Sequence, residues 1–200
     1  KCIVMLASSR EGEETLWLEA IRRYEQTHPQ QAATIQWWVV PRHPQRFNEV
    51  AQLLQNSGKN VMRKSEWSAQ LSDESLKQAD IVLGDTMGEM FTYYAIADVV
   101  LMGGTWLPYG GQNFLEPMAL GKPVIVGESI YNFEQIGLDA LEKGVLWQAQ
   151  NLDDAFILSM DNMGYRGDPN SRLNKNAHKI RLFVQHQLGV SDKLLKWLLN

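Results

Sequence analysis

Arg42 and Glu116 are the side chains of this sequence best placed to do chemistry, because each sits in a segment that constrains the backbone around it. Arg42 stands in Val40-Pro41-Arg42-His43-Pro44, between two prolines. A guanidinium on a rigid backbone binds phosphate or carboxylate oxygens in pairs through its planar fork. Glu116 ends the run Gly110-Gly111-Gln112-Asn113-Phe114-Leu115-Glu116 and is followed by Pro117. Proline favours the first position of a helix, where the N–H it lacks is not needed, so a helix is predicted to begin at Pro117 with Glu116 at its mouth. There a carboxylate can accept hydrogen bonds from a ribose diol, and the flanking glycines let the backbone approach the sugar. A cation for phosphate and an anion for a diol suit a nucleotide-type ligand.

Two more loops carry similar residues, Ser8-Ser9-Arg10-Glu11-Gly12-Glu13-Glu14 and Gly84-Asp85-Thr86-Met87-Gly88-Glu89. A plainer explanation competes with ligand binding. Ser8/Glu11, Thr86/Glu89 and Asn113/Glu116 all have the spacing of a helix capping box. For the first two pairs a cap accounts for the spacing as well as a ligand contact does; for the third, Pro117 weakens the cap. A surface ion pair is the plain alternative for Arg42, and His43 reads as a structural group satisfied within its turn.

Other chemistries fail on inspection. His28, His43, His178 and His186 have no metal-ligand spacing, and the single cysteine, Cys2, supports neither a zinc site nor an internal disulfide. No G-x-S-x-G elbow and no GxxxxGK[ST] loop occurs. Asp85 follows a strand as a phospho-acceptor would, yet the first strand ends in Ala7-Ser8-Ser9 without the acidic pair that would hold magnesium. With 19 basic against 23 acidic residues the net charge is -4, which gives no electrostatic case for nucleic acid. Trp37 and Trp38 accordingly read as core and interface surface, not as base-stacking platforms. No apolar run reaches the roughly 18 to 20 residues that span a bilayer, and no secretory signal is present. The chain opens in a strand already under way, without an initiator methionine, and so reads as a piece of a longer protein.

The elements that must position these loops alternate between short apolar runs and helical patterns, the signature of βα units building a parallel sheet. Strands are predicted over 2–7, 35–40, 60–63, 81–83, 99–102, 123–126 and 145–147. Helices are predicted over 13–26, where Leu16, Ala20 and Tyr24 recur at helical spacing, and over 46–55, 75–79, 133–142, 153–163, 171–188 and 191–199. The stretch 164–169 is the best candidate for a break. In a parallel sheet the loops leaving the carboxyl ends of the strands open on one side, and each of the four here leads into a helix whose N-terminus favours anions. Their polar residues can therefore meet.

Together the four segments resemble the 3-deoxy-D-manno-oct-2-ulosonic acid (Kdo) transferases of lipopolysaccharide synthesis. The matching pieces are Ala7 to Glu14 (ASSREGEE), Val40 to Pro44 (VPRHP), Asp85 to Met90 (DTMGEM) and Gly110 to Pro117 (GGQNFLEP), in the order and spacing typical of that family's C-terminal domain. One departure is Gln112, where the family often has histidine. The resemblance implies an α/β, Rossmann-like parallel sheet flanked by helices, the C-terminal half of a GT-B glycosyltransferase. Residues 1–200 would form one donor-nucleotide-binding domain, with 171–200 packing on it or toward the N-terminal domain. The donor would be CMP-Kdo, with no other cofactor, and the acceptor the lipid A precursor, lipid IVA, in an inverting, metal-independent transfer.

By the same resemblance Pro41, Arg42, Met87, Gly88, Glu89, Asn113, Phe114, Leu115 and Glu116 hold the donor, with Ser9, Arg10 and Gly111 as further candidates. The family's catalytic base, a glutamate, belongs to the N-terminal half, so this chain alone would bind CMP weakly and transfer nothing. The full-length protein would work at the cytoplasmic face of the bacterial inner membrane and touch it mainly through that half, while this chain is soluble. Two alternatives stay open: another GT-B nucleotide-sugar transferase or epimerase, and a non-catalytic nucleotide-binding module whose loops serve capping alone.

Overall fold

The computed structural model describes residues 1–67, 76, 78–162 and 172–188. In chain order these form β1 (Cys2–Ser9), α1 (Glu13–Thr27), α2 (Pro29–Ala32), β2 (Ile35–Pro41), α3 (Phe47–Gln55), β3 (Val61–Arg63), β4 (Ile81–Leu83), α4 (Met90–Ile96), β5 (Val99–Met102), α5 (Leu115–Ala119), β6 (Val124–Val126), α6 (Glu134–Glu142), β7 (Trp147–Gln148), α7 (Leu152–Asn162) and α8 (Arg172–Leu188). Among the described residues seven strands make one sheet in the order β3-β4-β2-β1-β5-β6-β7, and each pairing is parallel.

Helices on both faces explain why the strands read as unbroken apolar runs instead of alternating ones. Adjacent residues of β2 show it: Trp37 points to one face and Trp38 to the other, and both are buried. Trp37 meets Trp17 of α1 edge to face at 6.3 Å and Phe156 of α7 at 4.7 Å. Trp38 lies 6.0 Å from Tyr93 of α4, in the layer that also holds Phe114, Met118 and, from α8, Ile180, Phe183 and Val184. Each such ring contributes about 1.5 to 3 kcal/mol relative to exposure. The tryptophan pair is thus core on both faces of the sheet and forms no part of the surface.

Several boundaries differ from the predicted ones for physical reasons. A 3-10 turn, Pro44–Arg46, precedes α3, which therefore starts at Phe47 and not at 46. The strand predicted over 145–147 is only Trp147–Gln148, because the N–H groups of Val145 and Leu146 both bond back to the Ala140 carbonyl and close off α6. The helix predicted to start at Pro117 starts at Leu115. Pro117 is then its third residue, still in the first turn, where a missing N–H costs nothing. Predicted features over 164–169 and 191–199, and residues 75 and 77 of the helix predicted over 75–79, lie outside the described residues.

Candidate functional site

In this strand order the chain runs outward from β1 in both directions, to β2 on one side and β5 on the other. Loops leaving the two strands diverge at such a switch point and open a crevice at the carboxyl end of the sheet. A pocket of about 260 Å³ lies there, lined from β1 by Ser8, from the end of β2 by Val40, Pro41 and Arg42, from the β4 loop by Thr86, Met87 and Gly88, and from the β5 loop by Gln112, Asn113 and Glu116. Phe47, Met90, Tyr93 and Tyr94 complete it. Its size falls just below the roughly 300 Å³ at which ligand pockets begin, so a larger ligand would extend beyond it.

β1 does not end as an ordinary strand. The ladder with β2 slips between Ala7 and Ser9, and Ser8 takes a left-handed φ of 56°. A bulge of this kind re-aims a side chain. Ser8 leaves the ladder for the pocket, whose wall it shares with Tyr94. Backbone neighbours hold the bulge: the Gly103 N–H donates to the Ala7 carbonyl at 2.7 Å and the Arg42 N–H to the Ser9 carbonyl at 3.0 Å. A Cβ on Gly103 would stand 2.6 Å from the Ser8 carbonyl carbon and 2.7 Å from Ser9 Cα, so no other residue fits the crossing. The predicted Ser8/Glu11 capping box does not form. Gly12, with φ 87°, is the residue before α1, and it is Glu13 that reaches back to the Arg10 N–H at 2.8 Å.

Arg42 follows β2 with its guanidinium exposed, and its Nε donates to Gln112 Oε1 at 3.1 Å across the mouth of the pocket. In the β4 loop Thr86 and Glu89 do bond each other, and Tyr93 joins them. Glu89 also pairs with Lys64 at 3.6 Å. The Thr86 hydrogen bond, with the Lys64 charge and Tyr93 behind it, holds the Glu89 carboxyl below its ordinary range despite some desolvation. Glu89 is thus spent within the loop, whereas Met87 and Gly88 line the pocket. Asp85 is buried behind them. Desolvation alone would raise its pKa, but the Ser65 hydroxyl at 2.7 Å, the Ser65 N–H at 2.8 Å and Arg63 at 2.7 Å outweigh it and hold the carboxyl low. It is a structural anchor.

The β5 loop ends in a local turn. Asn113 Oδ1 accepts from the Leu115 N–H at 3.2 Å, and its Nδ2 donates to Glu116 Oε1 at 3.0 Å. Glu116 is therefore the second residue of α5, half-buried, with Oε2 facing no protein donor among these bonds. Burial raises its pKa, more than the Asn113 bond and the Arg42 charge lower it. Burial likewise raises the Tyr94 hydroxyl, with the Glu116 charge adding to it.

Of the residues predicted to hold a ligand, the pocket brings together Pro41, Arg42, Met87, Gly88, Asn113 and Glu116. The others stand behind it or beside it. Ser9 is buried and donates to Glu14 at 2.6 Å. Arg10 lies 4.6 Å over the Tyr109 ring, and Gly111 supports the loop by donating to the Gly104 carbonyl at 2.7 Å. Phe114 packs on Phe133 at 5.4 Å, and Leu115 joins the same core layer. Ser8, Phe47, Met90, Tyr93 and Tyr94 line the pocket without having been predicted. The two tyrosines lie one helical turn past the Thr86/Glu89 pair, a spacing that could have found them.

Among the described residues no group of three His, Cys, Asp or Glu stands together as metal ligands would, and no helix is long and apolar enough to cross a membrane. No protein-family model matches the chain. Sheet order and pocket nevertheless define a Rossmann-like nucleotide-binding fold, and its solved neighbours are glycosyltransferase domains of the GT-B fold. Anabaena HepE, crystallised with UDP, shares that fold, with a TM-score of 0.59 over 99% of this chain and 48% of its own at 11% identity. Among curated relatives, the 3-deoxy-D-manno-octulosonic acid transferase of Bordetella pertussis is 42% identical over 147 residues, 74% of this chain and 33% of the relative. That of Haemophilus influenzae is 30% identical over 193 residues, 96% of this chain and 42% of the relative. The C-terminal CMP-Kdo binding domain of WaaA from Acinetobacter baumannii, a crystal structure, gives a TM-score of 0.77 at 28% identity and covers 92% of this chain and 90% of its own. The chain belongs to the 3-deoxy-D-manno-octulosonic acid transferase family and matches its C-terminal domain. It spans only 33% to 42% of the length of the two curated relatives named.

Proposed function

We propose that this pocket binds the nucleotide of CMP-Kdo, and that the chain is the donor-binding part of an enzyme transferring Kdo to a lipid A precursor such as lipid IVA. The observation that carries the proposal is the pairing of Arg42 and Glu116 in one pocket at the switch point of the sheet. Arg42 meets the phosphate, and the Glu116 carboxylate accepts from the ribose hydroxyls. Departure of CMP builds negative charge on the phosphate, and a fixed guanidinium offsets that charge without a metal ion. The CMP-Kdo binding domain of the Acinetobacter protein supports the choice of nucleotide.

Inversion at the sugar needs a base on the acceptor side, which we assign to a part of the full-length protein outside this sequence. The chain by itself binds CMP and transfers nothing. The full-length enzyme would act at the cytoplasmic face of the inner membrane, where that other part reaches the lipid. Calorimetric titration with CMP, UMP, UDP and GDP tests the assignment: CMP should bind tightest, and tighter binding of UDP would sink it.

A further inference from the structure

The first turn of α1 holds two adjacent carboxylates, Glu13 and Glu14, that are both fully buried and line no part of the pocket. Acids in a first helical turn normally stay in water and complement the helix dipole. Burying them is costly unless every oxygen is hydrogen-bonded, and burial pushes the Glu13 carboxyl up although three backbone N–H groups hold it. An arrangement this expensive calls for a purpose beyond capping.

Their partners lie on opposite sides of β1. Glu13 accepts from the N–H of Gly104 at 2.8 Å and of Trp106 at 3.0 Å, both in the β5 loop. Glu14 takes the Arg46 guanidinium at two points, 2.8 and 3.0 Å, in the turn that begins at Arg42. Each loop then carries the constraint into the pocket. The Gly104 carbonyl accepts from the Gly111 N–H at 2.7 Å, and Gly104 packs so closely that a Cβ there would meet the Gln112 amide at 3.1 Å. On the other side Arg46 closes the 3-10 turn through its N–H to the His43 carbonyl at 3.0 Å, and Arg42 is tied to Ser9. Arg42 and Gln112 meet at 3.1 Å. The contacts therefore form a closed ring around the end of β1, and the two glutamates are its fixed side.

We propose that Glu13 and Glu14 are positioning residues of the donor site: they set the separation of the β2 and β5 loops so that Arg42 and Glu116 face one bound nucleotide. The inference rests on the reading of the pocket as a CMP site. It is tested by titrating the chain with CMP. Glu13→Gln and Glu14→Gln keep the side-chain shape and turn one acceptor into a donor; each should weaken CMP at least tenfold with an unchanged circular dichroism spectrum. A merely structural pair would not show coupling. In an Arg42→Ala background Glu14→Gln should cost less than threefold in affinity, and Glu13→Gln the same in a Glu116→Ala background.

Equal fold-losses with and without Arg42 or Glu116 would overturn the inference. So would wild-type affinity in Glu13→Gln and Glu14→Gln when Arg42→Ala and Glu116→Ala have lost it, a result that leaves the site reading standing. If the wild-type chain does not bind CMP, the site reading falls and this inference with it. Should a glutamine variant fail to fold, Arg46→Lys and Glu13→Asp, which keep the charge and lose the geometry, carry the same expectations.

Discussion

Replacing Glu116 by glutamine should separate binding from stability. One carboxylate oxygen, Oε1, is taken by Asn113 at 3.0 Å, which leaves Oε2 for a ligand hydroxyl. A hydrogen bond to a charged group contributes about 1.5 to 3 kcal/mol, so at about 1.4 kcal/mol per tenfold the variant should bind CMP roughly ten- to a hundred-fold more weakly. Stability should move the other way. A carboxyl whose folded pKa lies above its unfolded value of 4.5 contributes most below that value, and the contribution is lost as the pH rises through the folded pKa. At neutral pH the half-buried carboxylate is thus a cost to the fold, and an amide of the same shape removes it. Calorimetry with CMP and thermal melts of both proteins at pH 7.5 decide the matter. Unchanged affinity in a folded variant would refute the diol contact, and a lowered melting temperature would refute the claim that the carboxylate is held at a cost.

The raised pKa of Glu116 also predicts that CMP affinity falls with acid from a higher pH than an ordinary carboxylate would give, and that Glu116→Gln removes this limb. Protonation of the CMP phosphate is common to both proteins and cancels in the ratio of their affinities. Gly103→Ala should cost about 1 to 3 kcal/mol in urea denaturation, since its Cβ would press on the backbone of Ser8 and Ser9; an unchanged midpoint would refute the tight crossing. Asp85→Ala should cost about 3 kcal/mol at neutral pH, the low end for a broken buried pair, because Arg63 is 22% exposed. Since the Asp85 pKa is lowered from 3.8, its stabilisation is present above that value and lost as pH falls through the folded pKa. The gap between wild type and variant should therefore close in strong acid.

Much of this architecture was legible because buried parallel strands announce themselves as apolar runs: Ile81–Leu83 and Val99–Met102 have the predicted limits. The four loops were equally legible, since proline, glycine and charged residues cluster at the strand ends. Other features depend on neighbours that no local pattern reveals. Ser8 is left-handed because Gly103 crosses its backbone 95 residues further on. Glu13 and Glu14 look like surface acids until the Gly104, Trp106 and Arg46 partners are in place. Phe114 and Leu115 sit inside a ligand-like motif yet pack into the core, because the helix starts at Leu115, two residues before Pro117.

The order of the strands also bears on when the pocket comes into being. Its walls hang on β1, β2, β4 and β5, and no two of these strands are joined by a hairpin; each pairs in parallel with a partner reached by a crossover. Such non-local pairings form slowly, because the chain must close long loops before any contact repays the entropy. Ser8 and Glu116 can share a wall only once the middle of the sheet is assembled. A nucleotide bound there recognises the finished fold and no partly folded form, so at a hundred times its dissociation constant it would stabilise the domain by about 2.7 kcal/mol. Occupancy of the pocket would then report on the integrity of the whole sheet.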